Sequence, residues 1–130
     1  MCVRKTLAVI GGMVAIPWAA PAAAEATEPV GGYRLTVAPV QGTGRVASVS
    51  LRCGPDGGSH PAPKRACDQL RRVNGKVARL PERPGRCTLE YAPVRVRAHG
   101  TWKGRPRVYS RTFANRCAAI RGTGGVLFKF

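Results

Sequence analysis

Val94-Arg95-Val96-Arg97-Ala98-His99 alternates apolar and polar residues without a break, and a second run, Arg107 to Phe113, follows a reversal near Gly100. Alternation with period two puts successive side chains on opposite faces, so each run reads as a half-buried strand. Together the two runs predict an antiparallel hairpin. In the second run Arg107, Tyr109, Arg111 and Phe113 share one face, and Val108, Ser110 and Thr112 share the other. Like charges directly opposite across a sheet cost stability, so the arginines are expected to be staggered. Upstream, Val46 to Cys53 alternates as cleanly, with Val49, Leu51 and Cys53 opposed to Ser48, Ser50 and Arg52, and Tyr33 to Val37 adds another strand. Downstream, Val126, Phe128 and Phe130 alternate with Leu127 and Lys129, which predicts a last strand whose aromatics close the core.

The remaining segments supply turns and helices. Gly54-Pro55-Asp56-Gly57-Gly58 is strong turn chemistry. Pro63 suits the first position of a helix, where its missing N–H is not needed. Cys67, Leu70 and Val73, with Val77 beyond them, recur at helical spacing and form a narrow apolar stripe. Gly75 is placed to end that helix at C′, and Arg71 and Arg72 lie where the helix dipole favours cations. A short turn or helix around Ala114 to Ala119 carries Cys117, and Arg79 to Arg86 is irregular and proline-rich. The expected class is α+β, an antiparallel sheet of five strands with one main helix against one face.

The N-terminus reads as a targeting segment. Arg4 and Lys5 precede an apolar run from Thr6 to Ile16, and Ala22-Ala23-Ala24 supplies small residues for a peptidase. The run is short for a membrane span of about 20 residues, so residues 1–24 are expected to be a signal peptide and residues 25–130 one exported domain, beginning with an arm from Glu25 to Gly32. Removal of the leader takes away Cys2 and leaves Cys53, Cys67, Cys87 and Cys117. Four cysteines in a short exported domain imply two disulfides, with three possible pairings. Short C-x-x-C pairs of a zinc site are absent. The whole chain holds 22 basic and 6 acidic residues, a net charge of +16. Losing Arg4 and Lys5 lowers this by two, to +14. Such a surface is drawn to polyanions or anionic surfaces without specificity, above all in low salt.

Catalytic chemistry finds no footing. His60 sits in a proline-rich turn and His99 at a hairpin end, and neither shares a context with an acid or a nucleophile. A ribonuclease built on two histidines and a lysine would suit the charge, yet nothing joins those residues. There is no nucleophile elbow, phosphate loop or dinucleotide loop, and nothing points to a metal or a cofactor. An enzyme is not expected.

What remains is the stretch Arg86-Cys87-Thr88-Leu89-Glu90-Tyr91, just before the strand that begins at Val94. A cysteine anchors one end and a strand the other, and Leu89 is an apolar residue in a segment with no catalytic groups. A serine protease binds its substrate extended, with one side chain in a pocket. A protein can block it by offering that shape already ordered, at low entropic cost.

Here the sequence resembles the Streptomyces subtilisin inhibitor family, small exported inhibitors of serine proteases. The motifs run through the whole exported part. They are Leu35-Thr36-Val37, Leu51-x-Cys53-x-Pro55, Gly58-x-His60-Pro61-Ala62-Pro63, Ala66-Cys67 and Leu70. Cys87-x-x-x-Tyr91-x-Pro93-Val94, Gly100-x-Trp102-x-Gly104, Tyr109, Phe113-x-Asn115-x-Cys117 and Phe128-x-Phe130 complete them.

The resemblance implies a five-stranded antiparallel sheet with two helices, sequential disulfides Cys53–Cys67 and Cys87–Cys117, and a homodimer. It implies a reactive bond between Leu89, as P1, and Glu90, as P1′, in a loop whose protease-contacting residues include Arg86, Cys87, Thr88 and Tyr91, with Asn115 and Tyr91 as supports near it. The partner would be a subtilisin-like protease, or a chymotrypsin-like one, since both take large apolar P1 side chains. Two positions depart from the family pattern: Thr88 stands where many members have proline, and Glu90 is an unusual P1′ that Arg83 and Arg86 are placed to pair with.

Overall fold

The computed structural model describes residues 10–18 and 30–130. Residues 10–18 are exposed and have no regular structure. The rest of the expected leader, the cleavage point after Ala24 and residues 25–29 of the arm lie outside the described residues.

Four strands form one antiparallel sheet: β1 (Gly31–Pro39), β2 (Ala47–Cys53), β3 (Val94–Trp102) and β4 (Arg105–Phe113), in the order β2-β1-β3-β4. Helix α1 (Pro63–Arg72), a 3-10 turn (Val77–Arg79) and helix α2 (Arg116–Gly122) complete the chain. The alternation decides which face is covered. Leu35 pairs with Val49 on one side and Ala98 on the other, and Val37 pairs with Val96, so one face of the sheet becomes the core. Phe113 pairs with Val94, and Tyr109 with Ala98, on that same face. The opposite face, with Arg34, Arg52, Arg95, Arg97 and His99, is left open to solvent.

The hairpin turns later than Gly100. β3 runs on to Trp102, and the reversal is Lys103-Gly104, both at positive φ (49° and 76°). Two central residues with φ above zero are what a two-residue hairpin turn of type I′ requires. The extra length lets Trp102 reach the core, where it is 1% exposed. It packs over Gly31 and Gly75, either of whose Cβ atoms would collide with the indole. Gly75 is therefore required both by this packing and by its own positive φ of 75°. The residue at C′ is Asn74 (φ 54°), and the N–H of Gly75 returns to the Leu70 carbonyl at 2.8 Å, as in a Schellman motif. The Tyr33 hydroxyl donates to the Gly75 carbonyl, and burial pushes its phenol up to about 12 against the lowering pull of Arg107.

The fifth strand is not formed. Val126, Leu127 and Phe128 are all buried in succession, so the tail does not alternate between two faces. Gly124 and Gly125, at φ 86° and 82°, swing the chain under the sheet, and Lys129 N–H closes a turn on the Val126 carbonyl at 3.1 Å. The tail is an apolar plug, with Phe128 stacked 6.5 Å from Tyr109. His60 latches it from the other side. Ala62 N–H donates to Nδ1 at 2.9 Å, which leaves Nε2 to donate to the Leu127 carbonyl at 2.9 Å. The histidine in the proline-rich turn thus serves the core.

Disulfide Cys53–Cys67 ties the end of β2 to α1, and Cys87–Cys117 ties the segment before β3 to α2. Closing loops of 14 and 30 residues' separation is worth roughly 3 to 4 kcal/mol each in the chain-entropy model.

Because the tail fills the core without any ladder, its contribution is one of packing. Phe128→Ala is expected to lower unfolding stability by about 3 to 5 kcal/mol, measured by urea denaturation. A loss under about 1 kcal/mol would mean that the tail merely rests on the sheet.

Candidate functional site

Residues 81–93 have no regular secondary structure; residues 81–92 are exposed apart from the half-buried Cys87, and Pro93 is buried. The sequence explains why no strand forms there. Pro81, Pro84 and Pro93 cannot donate to a ladder, and Gly85 takes a positive φ of 152°. Order comes instead from α2, which lies directly behind.

Asn115 is the main support. It is 8% exposed and precedes the first residue of α2. Its Oδ1 accepts from Ala118 N–H at 2.8 Å, capping the helix. Its Nδ2 donates to the Glu90 carbonyl at 2.8 Å and to the Thr88 carbonyl at 3.2 Å. One side chain therefore closes the helix and holds the carbonyls on either side of Leu89. Ala92 N–H donates to the Ala114 carbonyl at 2.9 Å, and Val40 N–H to the Pro93 carbonyl at 2.9 Å, which fix the downstream end.

The upstream end is held by Cys87–Cys117 and by Arg121. The Arg121 guanidinium donates to the Pro84 carbonyl at 2.8 Å, and its own carbonyl accepts from Arg83 N–H at 2.8 Å. A Cβ on Gly85 would run into that guanidinium, so the arginine reaches the backbone only because Gly85 has no side chain. Sequence reasoning missed Arg121 and Gly85 as supports. One arginine among many carries no signal, and the glycine looked like any loop glycine.

Between these anchors Leu89 is fully exposed, and Tyr91 is exposed as well. Arg86, Thr88 and Glu90 are exposed and Cys87 is partly so. Among the described residues, no hydrogen bond engages the backbone N–H or carbonyl of Leu89. The expected pairing of Glu90 with Arg83 or Arg86 is not present. The ion pairs of the described residues are Lys64–Asp68, Arg71–Asp56 and Arg71–Asp68, all around α1. The segment is thus an extended stretch with a free apolar side chain, a free peptide unit at its tip and supports on both sides. The two histidines lie apart from it in role, His60 inside the core and His99 on the open face of the sheet.

The family model described as Subtilisin inhibitor-like matches residues 20–115. This chain belongs to the subtilisin inhibitor-like family. Among its relatives is subtilisin inhibitor-like protein 1 of Streptomyces cacaoi, 47% identical over 83 residues, which covers 61% of this chain and 76% of that protein. Subtilisin inhibitor-like protein 3 of Streptomyces coelicolor is 39% identical over 109 residues, covering 82% of this chain and 96% of the relative. A chain in the crystal structure of Streptomyces caespitosus sermetstatin in complex with Bacillus licheniformis subtilisin superimposes with a TM-score of 0.60 at 27% identity. That match covers 77% of this chain and 98% of the other. Within this subtilisin inhibitor-like chain, the matched region contains the whole 81–93 segment and Asn115.

The two halves of the Asn115 amide can be separated. Asn115→Ala removes cap and donors together and is expected to cost about 1 to 2 kcal/mol. Asn115→Ser keeps a cap oxygen and should retain most of the stability, yet lose order at Thr88 to Glu90. Backbone relaxation by NMR reads this, and a rigid loop in the serine variant would show that the donors do not hold it.

Proposed function

We propose that this protein is a secreted inhibitor of subtilisin-type serine proteases, which it engages through the segment from Arg86 to Tyr91, with Leu89–Glu90 as the reactive bond. The observation that carries the reading is the free Leu89 peptide between two carbonyls gripped by Asn115. The family membership supports it, as does the relative whose crystal structure is a complex with subtilisin. The apolar run before Ala24 supports export.

The mechanism follows from the geometry. A protease accepts an extended backbone and puts the Leu89 side chain in its S1 pocket. The ordering entropy of the segment has already been met by folding, so little is lost on binding. If the catalytic serine attacks the Leu89 carbonyl carbon, the leaving group is the amine of Glu90. That amine cannot diffuse away, because Asn115 holds the Glu90 carbonyl and Ala92 is bonded to Ala114. The acyl side is held in turn by the Thr88 carbonyl contact and by Cys87–Cys117. With both ends kept in place, the amine re-attacks the acyl carbon at high effective concentration, and the bond re-forms. Thr88 at P2 leaves the backbone freer than a proline would, so this loop depends more heavily on Asn115.

Titration of the mature protein against a subtilisin tests the reading. Stoichiometric inhibition is expected, with one slow nick at Leu89–Glu90 seen by mass spectrometry. Rapid digestion, or indifference of every subtilisin tried, would sink it. Leu89→Lys should move preference toward trypsin, whose pocket carries a carboxylate, and an unchanged ranking of the proteases would exclude Leu89 as P1.

Homodimerisation belongs to the same reading, and the open sheet face is the surface available to a second copy. None of the four strands contains an acidic residue, so two such faces repel. They also draw the protein to anionic surfaces when salt is low. Salt should therefore tighten the dimer. Sedimentation at low and high ionic strength is expected to show a larger dimer fraction in high salt, and the opposite trend would remove this face from the contact.

A further inference from the structure

We propose that a cleft behind the reactive loop binds a small multivalent phosphate anion, and that its occupation stiffens the loop; the second half rests on the inhibitory reading above. The cleft has a volume of about 510 Å³ and lies among α1, α2, the tail and the segment after Leu80. Arg65, Arg83, Arg121 and Lys129 line it, with Ile120 and Val126 as part of its apolar wall. No carboxylate side chain is among the lining residues, and none of the four cations joins an ion pair among the described residues. Four cationic side chains around one hollow repel one another, and an anion held among them turns that repulsion into attraction.

Two of these side chains pack against backbone, Arg83 while still exposed and Arg121 half-buried. Arg83 lies across Gly125 and Arg121 across Gly85, each so close that a Cβ on the glycine would meet the arginine side chain. Arg121 spends one N–H on the Pro84 carbonyl. A guanidinium has five, so donors remain for a ligand, and their planar fork matches phosphate oxygens two at a time. A diphosphate comes near the four cations in charge and fits the volume with room for water. Chloride or a single carboxylate would leave most of the repulsion in place.

The link to the loop is direct. Arg83 N–H is bonded to the Arg121 carbonyl, and the Arg121 guanidinium to Pro84, a few residues before Cys87. An anion that fixes both guanidinium groups also fixes the backbone they hold. The upstream arm of the loop, already held by the disulfide, the Arg121–Pro84 contact and the Arg83–Arg121 backbone bond, then gains a fourth linkage in the bridging anion.

Calorimetric titration with pyrophosphate at constant ionic strength tests the site, with two charge-matched variants. Arg65→Gln/Lys129→Gln empties the half of the cleft that does not grip the loop. Arg95→Gln/Arg97→Gln removes the same charge from the open sheet face. Circular dichroism checks that both are folded. One-to-one binding is expected, about tenfold weaker in the cleft variant for each charge-assisted bond lost and unchanged in the sheet variant. Equal weakening in both variants, or no saturable binding, would overturn the site. The coupling is tested by the rate of the Leu89–Glu90 nick in subtilisin. Pyrophosphate should slow it in the wild type and not in the cleft variant, and an unaffected wild-type rate would overturn the coupling. A protein that inhibits no subtilisin would instead bring down the inhibitory reading, while the calorimetry still decides the site.

Discussion

The Asn115 side chain does three jobs with one amide, and the functional end of the molecule depends on its doing them together. Its oxygen closes the start of α2, and its nitrogen holds the carbonyls of Thr88 and Glu90. A cap alone is worth about 1 kcal/mol, too little to explain an ordered loop of this length. The benefit is geometric. Because the same rigid planar group meets both partners, the position of the loop is referred to the helix, and the helix is referred to the sheet through Phe113 and the apolar tail. Cys87–Cys117 adds a covalent tie to the first turn of the same helix. α2 is only a short helix, but every support of the loop's upstream half runs through it.

Much of this architecture was legible in the sequence. Period-two alternation in Val46–Cys53 and Val94–His99 identified strands and the face they bury, because a half-covered sheet has to alternate. Pro63, Cys67 and Leu70 located α1 for equally local reasons. The final strand was misread because alternation of Val126, Phe128 and Phe130 is a necessary mark of a strand and not a sufficient one. The tail buries Leu127 too, so all sides of it are wrapped. The two glycines before it, both left-handed, were the available warning. His60 shows the reverse case. Its neighbours gave no hint of its partner, since the Leu127 carbonyl is 67 positions away.

The site divides along the same line. Leu89 and its neighbours are legible as a candidate loop through the cysteine, the prolines and the family resemblance. The supports were harder. Asn115 came only with the resemblance, and Arg121 with Gly85 not at all. Tertiary hydrogen bonds from side chain to a distant backbone leave no period and no spacing in the chain. Charge was legible as a total but not as a pattern, because seventeen-fold repetition of one side chain type hides which copies converge. The fold sets Arg34, Arg52, Arg95 and Arg97 on the open sheet face and Arg65, Arg83 and Arg121 around a cleft between the two helices.

There is a physical reason why the decisive support had to be of the illegible kind. A segment that imitates a substrate must leave the N–H and carbonyl of its reacting residue free, since a protease binds substrates by those groups. It therefore cannot be ordered by a strand ladder, which would occupy them, nor by burying its P1 side chain, which must enter the enzyme. With Leu89 as the proposed reacting residue, both of the devices that write themselves into sequence periodicity are excluded there. What is left is to hold the residues on either side, by carbonyls that the protease does not need, through a disulfide and side-chain donors from elsewhere in the chain. Thr88 and Glu90 give up their carbonyls to Asn115 while Leu89 keeps both of its backbone groups. The same constraint makes the loop's rigidity sensitive to what lies behind it, where Arg83 and Arg121 meet. Anything that steadies those two side chains adds to the disulfide and the Asn115 donors in a backbone that no strand ladder steadies.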